Sequence, residues 1–137
     1  MQKITVEWAN GRDDLILVTY HTNDWQWTDF ADAFEQQRAL LDHTSVPVVN
    51  IIVDVSNSHI MPKGGSLLSA SRNLGKDMHP KQGHTVIVGA KGYIAKILEV
   101  VEHFLGKERS KMHIAATLDG AYAMIEQISA QAEKQKT

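Results

Sequence analysis

The segment IIVDVSNSHIMPKGGSLLSASRNL, residues 51–74, gathers side chains that can do chemistry: Asp54 closes an apolar run, Ser56 and Ser58 follow it, and Met61, Lys63, Gly64, Gly65 and Ser66 lead into a helical pattern. An aspartate at the end of a buried strand can accept a phosphoryl group. That chemistry needs further acids on a neighbouring strand end to hold magnesium, and ITVEWANGRDD supplies its acids only across a hairpin turn. The competing role for Asp54 is local, because Asp at a turn accepts hydrogen bonds from backbone N–H groups of its own loop. Glycines at a helix start let backbone N–H groups face an anion. The full phosphate-loop pattern, however, places Lys-Ser/Thr after two glycines separated by four residues, whereas Lys63 precedes both Gly64 and Gly65. The serines have no GxSxG elbow, which leaves a hydrolase nucleophile without support.

Seven histidines, His21, His43, His59, His79, His84, His103 and His113, show neither an HExxH pair nor another close ligand spacing, so no metal is expected. GAKGY, residues 89–93, is a short glycine turn into a helix and implies no nucleotide; no cofactor is expected. In NDWQWTDF, Trp25 and Trp27 flank the start of a helix. Core packing is the default role for such rings, with one stapling the helix start and the other partly exposed as a ligand or interface aromatic.

The composition limits what these residues can serve. A chain of 137 residues with 43% hydrophobic content can close one sizeable core, so a single domain spanning 1–137 is expected. Fourteen Lys and Arg stand against 16 Asp and Glu, a formal charge of −2, and no global field draws the chain to nucleic acid or an anionic membrane. The absence of cysteine removes thiol chemistry and fits a reducing compartment. No apolar run approaches the roughly 18 residues of a membrane helix, and MQKITVEW enters a strand pattern directly. The expected location is the cytoplasm.

The elements that must position these side chains follow from periodicity. ITVEW (4–8) and LILVTYH (15–21) are rich in β-branched and aromatic residues, and ANGRDD between them has turn chemistry, which predicts a hairpin. Thr28 is the expected cap of a helix over DFADAFEQQRALLDH, with Phe30, Phe34, Leu40 and Leu41 inward and Asp32, Glu35, Gln36 and Arg38 in solvent. VVNIIVDV (48–55) is nearly continuously apolar, as a strand buried on both faces must be. A helix over 66–78, a strand HTVIVG (84–89), a helix over about 92–105, a strand KMHIAAT (111–117) and a final helix from Leu118 complete the alternation. The expected fold is α/β: a mixed sheet of about five strands, an N-terminal hairpin followed by parallel strands, packed with four helices. In such a sheet, the loops after Asp54, Gly89 and Thr117 meet at the carboxyl edge.

This order of elements, together with VDVSNSHIMPKGGSLL, resembles the STAS domains of anti-sigma-factor antagonists and sulfate transporters over nearly the whole chain. Asp54 and Ser56 fall at the strand end, Ile60 and Met61 at an apolar step, and Gly65 at the glycine that opens a helix. The resemblance implies a non-enzymatic module of a regulatory system. It would dock a protein partner through Asp54, Ser56, Ser58, Met61, Lys63, Gly64, Gly65 and Ser66. Where the family carries Asp-Ser-Ser, with one serine phosphorylated, this chain has Pro62, Lys63 and Gly64, so the usual serine switch is absent at that position. The alternative is a small-ligand or lipid carrier, with an apolar or anionic ligand held near Met61, Trp25, Trp27 and Leu67. Apolar surface around Trp25, Trp27 and Tyr93 would favour a homodimer. An enzyme pairing Asp54 with a histidine has no second catalytic group that the sequence can place beside it.

Overall fold

The computed structural model describes residues 3–22, 24–58, 79–89 and 111–135. Strand β1 (Ile4–Trp8) turns through a short 3-10 segment at Ala9–Gly11, where Asn10 takes φ of 51°, into β2 (Leu15–Tyr20). Asn is among the few residues that tolerate this left-handed conformation. Helix α1 (Trp27–His43), β3 (Val49–Asp54), β4 (Gln82–Val88), β5 (Met112–Ala115) and α2 (Leu118–Gln135) follow. The strands form one sheet in the order β1-β2-β3-β4-β5, antiparallel in the first pair and parallel in the rest. The α/β class, the hairpin and the five-strand mixed sheet therefore agree with expectation. The helices expected over 66–78 and 92–105 lie outside the described residues.

Strand β3 is central, which accounts for its apolar run. Val49 and Ile51 enter a core layer with Ile16, Val18, Tyr20, Ala33 and Leu41, on the side that α1 covers. Ile52 faces the other way, into a layer with Leu15, Val86, Val88, Ala115, Ala121 and Ile125 beneath α2. Alternation in a doubly covered strand thus sends neighbouring apolar residues into two different cores. On α2, Ala121 and Ile125 are fully buried and Met124 packs beside them.

The start of α1 requires a correction. Gln26, not Thr28, is the N-cap: its side chain accepts from the Asp29 backbone N–H, and Asp29 Oδ2 accepts from the Gln26 N–H at 2.8 Å. Thr28 lies inside the first turn because the reciprocal capping pair satisfies two helix-end donors, which a lone Thr hydroxyl could not.

Strand β4 carries an irregularity against β3. Val49 pairs with Gln82 but Ile51 pairs with Thr85, so one more residue is used on β4 than on β3. The bulge leaves the His84 N–H without its ladder partner, and Asn50 Oδ1 accepts it at 2.8 Å. Gly83 makes the close approach possible: a Cβ there would stand 2.8 Å from Val48 Cγ1 and collide with Asn50 Oδ1.

Candidate functional site at the carboxyl edge of the sheet

Parallel pairing brings the ends of β3, β4 and β5 to one edge. The Val55 N–H donates to Val88 O at 3.0 Å, and the Gly89 N–H donates to Ala115 O at 3.1 Å. Gly89 has φ of 72°, and a Cβ on it would lie 2.5 Å from Ser56 Oγ and 2.8 Å from Ser56 Cα. A side chain would therefore be strained by the backbone and pressed into the neighbouring loop. Thr117 closes the edge by capping α2, its hydroxyl accepting from the Gly120 N–H at 3.1 Å. The three loops meet, as the topology requires.

Asp54 holds its own loop. Its Oδ1 accepts from the Ser56 N–H at 3.0 Å and from the Ser56 hydroxyl at 2.6 Å, the local role expected for an Asp at a turn. Ser56 and Asn57 are exposed after β3, and Ala116 and Thr117 are exposed after β5, two strands along the same edge. Ser58 points the other way. Its backbone N–H donates to Val55 O at 2.9 Å, and its hydroxyl, on a residue only 3% exposed, accepts from Trp25 Nε1 at 2.8 Å. Ser58, expected in the partner-docking loop, thus has its side chain turned inward: burying the indole N–H requires an acceptor, and Ser58 is that acceptor.

Trp25 is likewise a core residue, 8% exposed, with Tyr20 edge-on at a centroid distance of 5.0 Å and Phe30 at 6.4 Å. Its ring is withdrawn from the surface that a ligand pocket or homodimer contact would need. Burial pushes the Tyr20 hydroxyl pKa upward, so this aromatic cluster carries no charge at physiological pH. Trp27 opens α1, and its side chain lies outside the described residues, as do Met61, Lys63, Gly64, Gly65 and Ser66. None of the described helices is long and apolar enough to cross a membrane.

Sequence reasoning missed a second polar cluster, towards the amino ends of the parallel strands. His84 on β4 and His113 on β5 stand with Nδ1 of the first 2.9 Å from Nε2 of the second, their rings tilted by 31°. Burial, and then the nearby His113 and Lys111 charges, lower the His84 pKa. No signal in the sequence marks this pair, because 29 residues separate its members and only strand pairing joins them. On the hairpin, Arg12 forms two bonds to Asp14, at 2.8 and 3.1 Å, and reaches Glu126 of α2 at 2.9 Å. Among the described residues, no group of three or more His, Cys, Asp or Glu is arranged to hold a metal.

Comparison with family models, curated proteins and solved structures returned no match to this chain.

Proposed function

We propose that the chain is a STAS-like, non-enzymatic interaction module that docks a protein partner on the carboxyl edge of its parallel sheet. The observation that supports this most is the ledge itself, where Ser56, Asn57, Ala116 and Thr117 are exposed while Asp54, Gly89 and Thr117 spend their polar groups on holding the three loops together. A surface pre-organised by its own hydrogen bonds loses little conformational freedom on docking. The strand order is sequential, with no reversal. The described edge is accordingly a ledge rather than the crevice that forms at a topological switch point.

Lys63, Gly64 and Gly65, which follow β3 in the sequence, set the regulatory sense of this reading. A phosphoserine before a helix would add roughly −1.5 to −2 charges, whereas Lys63 contributes a fixed positive charge. Docking is then constitutive with respect to serine kinases at that position.

Crosslinking in native cells followed by mass spectrometry identifies the partner, and the purified pair then permits a direct test. Asn57→Arg and Ala116→Arg, which add bulk and charge to exposed positions, should each weaken binding at least tenfold with an unchanged melting temperature. Lys63→Glu should weaken it as well. Full affinity in both ledge variants would refute the docking face. A small molecule retained in a native mass spectrum, with no protein crosslinked, would favour the carrier instead.

A further inference from the structure

The geometry points to a metal site that the sequence spacing conceals: His84 Nδ1 and His113 Nε2 form a two-imidazole chelate for a divalent copper- or nickel-class ion, on the face of the sheet that α2 covers. The two nitrogens stand 2.9 Å apart. At a metal–imidazole bond of about 2.0 Å, cis ligands lie roughly 2.8 Å apart in a square-planar site and about 3.3 Å apart in a tetrahedral one. Imidazole nitrogen suits Cu(II) and Ni(II), and Cu(II) stands highest in the order of divalent affinities, so copper is the ion that such a pair takes up most readily. In the metal-free protein the rings face each other across a hydrogen bond. Seating an ion displaces the bridging proton, which passes through solvent to the other nitrogen of the same ring, and requires each ring to turn so that both lone pairs converge. Histidine rotates broadly about this torsion, so the turn meets no staggered barrier.

The backbone holds both donors in place for this purpose. The β4 bulge, bridged by Asn50 Oδ1 to the His84 N–H at 2.8 Å, fixes the residue from which one ring projects. The Thr85 N–H donates to Lys111 O at 2.9 Å, and His113 pairs in register with Val86, which fixes the other. Both histidines are half-buried, so solvent reaches the pair. Among the described residues the site offers these two imidazoles. The Lys111 charge near His84 limits its affinity.

The test uses the whole protein and copper(II) alone at pH 7.5. Titration followed by calorimetry should give binding in the wild type that falls at least tenfold in both His84→Ala and His113→Ala, with His43→Ala, on the exposed end of α1, as the control that retains it. Electron paramagnetic resonance of the loaded wild type should show a tetragonal signal coupled to nitrogen. Because either alanine variant could perturb the strand, amide resonances of the wild type provide an independent reading. Substoichiometric copper(II) should broaden residues 84–86 and 112–114 first. Broadening that begins elsewhere, or affinity unchanged by both substitutions, would overturn the assignment.

Discussion

Ser58 and Trp25 form the most consequential side-chain pair near the candidate site, because the buried indole N–H donates to the Ser58 hydroxyl. Ser58→Ala should cost about 1–3 kcal/mol, the penalty of a buried donor left without an acceptor. Trp25→Phe removes the N–H, so adding Ser58→Ala to it should cost clearly less than Ser58→Ala alone. Urea unfolding of the four proteins measures the coupling, and simple additivity would show the hydrogen bond to be worthless. Asp54 is expected to behave differently. Asn at this position keeps a carbonyl oxygen for the Ser56 N–H, and Asp54→Asn should therefore lose only about 0.5–1.5 kcal/mol. Acetyl phosphate with magnesium should leave the wild-type mass unchanged. A labile gain of one phosphoryl group, absent from the Asn variant, would instead make Asp54 an acceptor.

At the scale of elements, β3 joins the two core layers, and its residues differ by the layer they enter and their distance from the edge. Ile51 and Ile52 are each at most 1% exposed and face opposite helices. Truncating either to Ala should cost about 2–5 kcal/mol through lost burial and a residual cavity. Val53 is only partly buried, near the open ledge, and Val53→Ala should cost less than either. Equilibrium unfolding in urea ranks the three; a largest loss at Val53 would contradict the doubly covered strand. The same element scale explains the misplaced helix start. Thr and Asp are common caps, yet the cap here is Gln26, whose extended backbone with φ of −117° precedes its reciprocal pair with Asp29.

Across the whole molecule, Arg12 links the hairpin to the last helix through Asp14 and Glu126. The hydrogen bond from Arg12 holds the Asp14 carboxyl below its ordinary pKa, and its charge adds to that effect. With the folded value depressed, the unfolded chain binds the proton more readily, so stability from this group is complete above about pH 5 and is lost as pH falls through the folded value. Asp14→Asn should accordingly flatten the fall in unfolding free energy between about pH 4.5 and 2.5, as read from urea midpoints at each pH. An unchanged slope would mean that solvent screens the pair fully, as it does many exposed ion pairs. The His79–Asp42 contact at 2.7 Å depresses the Asp42 pKa in the same sense at the C-terminal end of α1.

The order of hydrophobic periods carried most of the architecture. Alternation in ITVEW and LILVTYH, the 3.6-residue stripe from Phe30 to Leu41 and the unbroken run through Ile51 and Ile52 each state a local requirement for burial, and burial patterns are written residue by residue. From them follow the hairpin, the parallel strands and the convergence of the loops after Asp54, Gly89 and Thr117. The self-contained turn at Asp54 was also legible, since donor and acceptor lie two residues apart. Contacts between distant segments were not: Trp25 with Ser58, Asn50 with His84, and His84 with His113 are separated by 33, 34 and 29 residues. A local sequence pattern cannot encode such a meeting, because the strand register and the β4 bulge that produce it are set only when both sides of the sheet are packed at once. The direction of each polar side chain at the carboxyl edge, outward for Ser56 and inward for Ser58, was settled by that same packing.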